Sequence, residues 1–134
     1  MPFFRREVLI NVGADDVWAA ISDFGAVHER AARGFVFDTQ LEGDTRIVTF
    51  AGGLVVRETL VDIDPDARRI SYSAAAGRIT HHNASQQVFG EGPARSRVVW
   101  ITDVLPVEVG DIFDTMLDHG AIAMKETIES GARR

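Results

Sequence analysis

The sequence predicts an α+β fold, in which an antiparallel sheet of about seven strands packs on one long C-terminal helix. Two observations predict it. Strand-like segments follow one another across short turns rich in Gly, Asp and Pro, and strands joined in this way run antiparallel. After Pro106 the apolar residues change to a helical period. The chain has 134 residues, of which 46% are hydrophobic, so residues 1–134 are expected to form one domain with its own core.

The first elements are a strand and two short helices. The segment FRREVLINV is rich in strand formers and ends at Gly13. In ADDVWAAISDFGAVHERA, Asp15 is expected to cap a helix that carries Val17, Trp18 and Ile21 on one side. Gly25 is expected to divide this region into two short helices.

The next four strands form two hairpins whose turns predict the register. The Gly43-Asp44 turn predicts the cross-strand pairs Phe37–Phe50, Thr39–Val48 and Leu41–Arg46, and the Asp64-Pro65-Asp66 turn predicts Ile63–Ile70, Val61–Tyr72 and Thr59–Ala74. In both hairpins one face is the more apolar, and it is expected to face the core.

The last hairpin contains two adjacent histidines. If Gly90 and Ser96 close its loop, the pairs are Val88–Val98, Gln86–Trp100, Ala84–Thr102 and His82–Val104. His82 then shares a face with Trp100, and His81 lies on the opposite face with Asn83, Ser85 and Gln87. Neighbouring strand residues cannot both bind one metal ion, and no third ligand stands at metal spacing, so no metal site is expected.

The end of the chain is predicted to be a long amphipathic helix that starts near Val107. Its apolar stripe recurs at helical spacing and comprises Val109, Ile112, Phe113, Met116, Leu117, Gly120, Ala123, Met124, Thr127 and Ile128. Glu108 and Asp111 in the first turn suit the positive end of the helix dipole.

This order of elements, together with VWAAISDFGAVH, VRETLVDIDPDARRISY and SRVVWITDVLP, resembles the polyketide cyclase/dehydratase and lipid-transport-like proteins of the SRPBCC (START, birch-pollen-allergen-like) superfamily. The resemblance covers nearly the whole chain. It implies a helix-grip fold, in which a curved sheet wraps the long helix and leaves a cavity for a mainly apolar ligand.

The predicted inward faces gather a set of residues suited to such a cavity. The candidate ligand-binding residues are Phe37, Phe50, Tyr72, His82, Gln86, Trp100, Phe113 and Met116, with Val48, Val61, Leu117 and Met124 beside them. Phe37, Phe50, Ile112 and Leu117 are better explained as core residues that contact no ligand. Among the polar members, His82 and Tyr72 are the candidates for acid/base catalysis.

Arg57, Glu58 and His119 are weaker candidates for a functional role. Arg57 and Glu58 are adjacent on a strand, so they face opposite ways, and a shared catalytic pair is not expected. His119 on the long helix is expected either to reach the cavity or to lie at a helix end.

Composition narrows the class of partner. A net charge of −6 disfavours nucleic-acid binding, no apolar run is long enough to span a membrane, and the N-terminus lacks a signal-peptide pattern. The chain is therefore expected to be cytoplasmic, and the absence of cysteine agrees with that compartment. No cofactor is expected, and a homodimer is left open.

Three functions remain open at this point. The chain could bind a small hydrophobic molecule that is polyketide-, aromatic- or lipid-like. It could be an enzyme of the polyketide cyclase/dehydratase type that uses His82 with Tyr72 or Gln86 to move a proton. It could also be an interaction or stress-response protein whose cavity is filled.

Overall fold

The computed structural model describes residues 3–132. Its elements are β1 (Phe3–Ile10), α1 (Ala14–Ser22), α2 (Val27–Arg30), β2 (Val36–Glu42), β3 (Thr45–Phe50), β4 (Val55–Asp64), β5 (Arg69–Ala75), β6 (His81–Gly90), β7 (Ser96–Leu105), a single 3₁₀ turn (Val107–Val109) and α3 (Gly110–Ala132). The predicted α+β fold, with a seven-stranded curved antiparallel sheet and a long C-terminal helix, is confirmed.

The sheet has the strand order β1-β7-β6-β5-β4-β3-β2. Strands β2 to β7 form a run of hairpins, and β1 pairs with β7 at the far side. The two short helices therefore connect the two edge strands, β1 and β2. Helix α3 lies on the concave side of the sheet, where Leu117, Gly120, Met124, Thr127 and Ile128 are buried.

Helix α1 begins two residues earlier than predicted. Its N-cap is Gly13, which makes no side-chain capping bond, so the prediction that Asp15 caps the helix is wrong. Asp15 lies instead in the first turn, where its charge suits the helix dipole. Val17 and Ile21 are buried in the main hydrophobic core, as their spacing predicts.

The β6–β7 hairpin has the predicted register along its whole length. Val88 pairs with Val98, Gln86 with Trp100, Ala84 with Thr102 and His82 with Val104, and Gly90 and Ser96 close the loop. This register places the buried His82 on the concave face and the exposed His81 on the other.

The other two hairpins each contain a β-bulge that the turn-based register did not predict. In β2 the bulge lies between Val36 and Asp38, so Val36 pairs with Phe50 and Phe37 turns outward with 72% of its surface exposed. In β4 the bulge lies between Leu60 and Asp62, so Leu60 pairs with Tyr72 and Val61 is exposed. The inward positions predicted for Phe37 and Val61 are therefore wrong, whereas Thr39–Val48, Leu41–Arg46 and Ile63–Ile70 are correct.

The same bulge in β4 changes one more predicted pair. Thr59 pairs with Ser73 rather than with Ala74, and Glu58 pairs with Ala74. In α3, Leu117 is buried as predicted, but Ile112 is 61% exposed, so its assignment to the core is wrong. Ile112 lies in the first turns of the helix, where one side of the helix faces a surface pocket instead of the sheet.

Candidate functional site

Three adjacent pockets lie between the sheet and α3. We call them the mouth pocket, the middle pocket and the deep pocket, with volumes of about 270, 70 and 70 Å³. The mouth pocket lies beside the β5–β6 connection and the start of α3, and the deep pocket lies beside α1 and α2. The space inside the sheet is thus divided into a larger outer part and two small inner parts.

The pockets share walls, so they form one series. Phe50 and Glu58 line all three of them. The mouth and middle pockets also share His82, Phe113 and Met116, and the middle and deep pockets share Phe35, Tyr72 and Trp100. Small movements of these shared side chains, above all the flexible Met116, would join neighbouring pockets.

His82 lies at the boundary between the mouth and middle pockets. Its Nδ1 accepts a hydrogen bond of 2.9 Å from the backbone N–H of Ala74, beyond the point where the β5–β6 pairing ends at Tyr72–Ala84. Burial lowers the pKa of His82, and the negative charge of Glu58 opposes this decrease. The neutral ring therefore carries its proton on Nε2, so His82 offers a hydrogen-bond donor to the pockets.

Tyr72 lies next to His82, with 6.1 Å between the two ring centroids. Burial, with the nearby negative charge of Glu58, raises the pKa of Tyr72 well above its usual value, although Arg46 and the approach of the Trp100 indole N–H oppose the rise. The phenol therefore stays protonated at any physiological pH and cannot serve as a base.

A buried ion pair crosses the wall of the pockets, between β3 and β4. Arg46 Nε donates to Glu58 Oε1 over 2.7 Å, and the two side chains are only 8% and 12% exposed. Arg46 Nη1 also donates to the backbone carbonyl of Phe24 over 3.2 Å. The guanidinium lies 4.1 Å from the centroid of the Phe24 ring and 5.0 Å from that of Tyr72, so aromatic rings contact it.

Sequence reasoning missed this pair, although one signal for Arg46 was present. Arg46 has the same strand parity as Val48 and Phe50, which were placed on the inward face. Glu58 pairs directly with Arg46 in the register of β3 and β4. The adjacent Arg57 does face away from Glu58, as expected, and forms an exposed ion pair with Glu42.

Trp100 fits between the sheet and α3 because the helix residue that faces it is a glycine, Gly120. A Cβ at Gly120 would lie 2.9 Å from Trp100 Cη2, so only a residue without a side chain lets the ring lie against the helix. The indole Nε1 is buried and has no hydrogen-bond partner within residues 3–132. Gln86, paired with Trp100 across the strands, lines the deep pocket.

The structure brings together seven of the eight candidate ligand-binding residues. Phe50, Tyr72, His82, Gln86, Trp100, Phe113 and Met116 line one or more of the three pockets, whereas Phe37 lies on the exposed surface. His119 is exposed, so it does not reach the pockets. Their role in binding stays a prediction.

Within residues 3–132 the structure offers neither a metal-binding cluster nor a membrane-spanning helix. No group of three or more His, Asp or Glu side chains there is placed to hold a metal ion. None of the helices in that range combines the length and apolarity needed to cross a bilayer. The expectation that no metal is bound stays a prediction.

The family model described as "Polyketide cyclase / dehydrase and lipid transport" matches residues 1–134. No curated protein matches the chain.

Solved structures share the fold at low sequence identity. An uncharacterized protein from Bacillus thuringiensis superimposes with a TM-score of 0.84 at 19% identity, covering 94% of this chain and 98% of that one. A START superfamily protein from Mycobacterium smegmatis gives a TM-score of 0.79 at 16% identity, covering 96% and 97%. Norcoclaurine synthase from Thalictrum flavum, in complex with dopamine and hydroxybenzaldehyde, gives 0.70 at 19% identity, covering 94% and 85%.

Proposed function

The chain belongs to the polyketide cyclase/dehydrase and lipid-transport family, and from this premise we propose that it binds a small hydrophobic molecule between its sheet and α3. The molecule is polyketide-, aromatic- or lipid-like, and the pocket series is its binding site. The observation that carries the proposal is that apolar walls surround a few polar groups in this series, which is the usual composition of a ligand site.

The sizes of the pockets suggest how the molecule lies. Ligand pockets typically have volumes of roughly 300–1,000 Å³, and the mouth pocket alone, at about 270 Å³, approaches that range. The body of the ligand therefore occupies the mouth pocket, between Ile79, Ile112 and Phe113. A narrower end reaches the middle pocket, where Glu58, Tyr72 and His82 lie.

We test this proposal with 2-naphthol, a neutral probe of aromatic shape, by isothermal titration calorimetry. Met116→Trp would fill the boundary between the mouth and middle pockets, so we expect it to weaken binding at least tenfold. Ile122→Trp introduces the same side chain at a position of α3 that is 57% exposed and outside the pockets, and it should bind as the unmodified chain does. Thermal melting confirms that both variants fold.

Two outcomes would count against the proposal. If the unmodified chain binds no 2-naphthol and no apolar compound copurifies with it in native mass spectrometry, the interaction-protein hypothesis with a filled interior is favoured. If Met116→Trp and Ile122→Trp bind equally well, the ligand lies outside the pocket series.

A second candidate function, acid/base catalysis of the cyclase/dehydratase type, is favoured by the polar groups around the middle pocket. His82 Nε2 and the Tyr72 hydroxyl carry protons, so they donate to a substrate carbonyl oxygen rather than remove a proton. The base in this scheme is the Glu58 carboxylate, which faces the same pocket. The roles of His82 and Tyr72 thus become those of hydrogen-bond donors.

Proton exchange tests this second function separately. The chain would be incubated with 2-tetralone in D₂O, and replacement of the protons next to the carbonyl group by deuterium followed by NMR. Catalysed exchange that is lost in Glu58→Gln supports the enzyme. Binding without exchange above the buffer rate supports the carrier alone.

A further inference from the structure

We infer that the head group of the ligand is a neutral hydroxyl that donates a hydrogen bond to Glu58 and accepts one from Trp100. This inference rests on the proposed function and names the class of molecule that the pocket series selects. Three features of the inner pockets lead to it: the open oxygen of Glu58, the unpartnered N–H of Trp100, and the pairing of Arg46 with Glu58.

Glu58 offers an acceptor to the ligand. Its Oε1 accepts from Arg46, but its Oε2 has no hydrogen-bond partner within residues 3–132. The side chain is 12% exposed and lines all three pockets, so the open oxygen lies in a largely desolvated space. A carboxylate oxygen that faces a pocket is stabilised by a donor, and a ligand in the middle pocket can supply one.

Trp100 offers a donor in the same space. Its Nε1 is buried without a partner, and although it approaches the Tyr72 hydroxyl it does not make a hydrogen bond with it. Buried polar groups in proteins are nearly always paired, so this N–H calls for an acceptor. Trp100 lines both the middle and the deep pockets, as Glu58 does, so both side chains border the space that a ligand head group would fill.

Arg46 already has an anionic partner in Glu58. Its Nε and Nη1 donate to Glu58 and to the Phe24 carbonyl, and its guanidinium lies against the rings of Phe24 and Tyr72. A carboxylate head group would therefore compete with Glu58 for Arg46 and be repelled by the negative charge of Glu58.

Among hydroxyl, ether, ketone, ammonium and carboxylate groups, only a hydroxyl can both donate to Glu58 and accept from Trp100 through a single atom. A hydroxyl has one donor and two acceptor lone pairs. An ether or ketone accepts a hydrogen bond from Trp100 but has no donor for Glu58. An ammonium group donates to Glu58 but cannot accept from Trp100. A carboxylate is repelled by Glu58. The selected ligand is thus an alcohol or a phenol.

The test compares four probes that share one ring system. Binding of 2-naphthol, 2-methoxynaphthalene, 2-naphthylmethylamine and 2-naphthoate would be measured by isothermal titration calorimetry at pH 7. We expect 2-naphthol to bind about tenfold or more tightly than the methyl ether, since a hydrogen bond to a charged group is worth about that much. The amine should be weaker than 2-naphthol, and the carboxylate the weakest of the four.

A double variant with a matched control tests whether the Glu58 carboxylate causes the preference for 2-naphthol. Arg46→Met with Glu58→Leu replaces the buried pair by apolar groups of similar size, which proteins often tolerate. It should reduce the preference for 2-naphthol over its methyl ether to less than about threefold while retaining binding of the ether. Arg57→Met with Glu42→Leu makes the same change at the exposed pair and should keep the full preference.

The outcomes distinguish failure of this inference from failure of the proposed function on which it rests. If none of the four probes binds, the proposed function fails. If all four bind with similar affinity, the proposed function stands and the hydroxyl inference is overturned. Tightest binding of 2-naphthoate, or a preference for 2-naphthol that survives the double variant, would also overturn it.

Discussion

The two ends of the pocket series are built differently. At the deep end, Arg46 and Glu58 are almost fully buried, and Trp100 lies against Gly120 with no room for a side chain between them. At the mouth, Leu54 and Ile112 are 48% and 61% exposed and the walls are mainly apolar. We conclude that the deep end is tied to the stability of the fold, and that the mouth can change with little effect on stability.

The largest effect is expected for a substitution that breaks the buried pair at the deep end. Arg46→Met leaves Glu58 charged and unpaired, so the free energy of unfolding should fall by about 3–5 kcal/mol. Arg57→Met breaks the exposed pair with Glu42 and should cost less than about 1 kcal/mol. Urea denaturation measures both, and equal losses would remove the distinction between buried and exposed pairs.

A smaller effect is expected from the titration of His82, between the two ends. Burial lowers the pKa of this residue below its usual 6.5, so the unfolded chain binds the proton more readily. The contribution of His82 to stability is therefore present above pH 6.5 and is lost as the pH falls through the lowered pKa. His82→Asn keeps an acceptor near the Ala74 N–H but cannot titrate, so it should lose less stability between pH 7 and pH 5.

His81→Asn is the matched control for this prediction. His81 is exposed on the opposite face of β6, and the variant should lose stability on acidification as the unmodified chain does. Urea denaturation at a series of pH values compares the three proteins. If His81→Asn removes the pH dependence instead of His82→Asn, the assignment to His82 is wrong.

The smallest effect on stability is expected at the mouth. Ile112→Thr should change the free energy of unfolding by no more than about 0.5 kcal/mol, because the side chain is already exposed. It should nevertheless weaken 2-naphthol binding several-fold, since the mouth pocket loses apolar surface. Ile122→Thr, at an exposed position outside the pockets, should change neither quantity, and equal binding by the two variants would place the ligand elsewhere.

The hairpins show how much of the fold the sequence could predict. In β6–β7 the turn and the alternation of residues agree from Gly90 to His82, so the face of every side chain follows from the loop. In β2 and β4 the same reasoning holds only up to the bulge, beyond which one extra residue reverses the faces. A bulge depends on how the sheet must bend around α3, and nothing near Phe37 or Val61 in the sequence marks it.

The candidate site was predictable to a similar degree. His82, Gln86 and Trp100 followed from an unbroken register, and Phe113 and Met116 from the helical period. Arg46 was missed because charged residues are seldom buried, although its strand parity placed it inward. Glu58 was missed because the inward position predicted for Val61 placed Glu58 on the outer face. The division of the interior into three pockets depends on side-chain packing, which the pattern of apolar residues alone does not determine.

The bulge in β2 also bears on how the chain avoids aggregation. Within residues 3–132 β2 pairs with β3 on one side, and no other strand pairs with its opposite edge. Exposed edges of this kind invite strand addition by other molecules, and the exposed Phe37 and Leu41 would strengthen such an association. Because the extra residue interrupts the regular spacing of backbone donors and acceptors, the edge offers a second chain only the short stretch from Asp38 to Glu42, which bears a negative charge at each end.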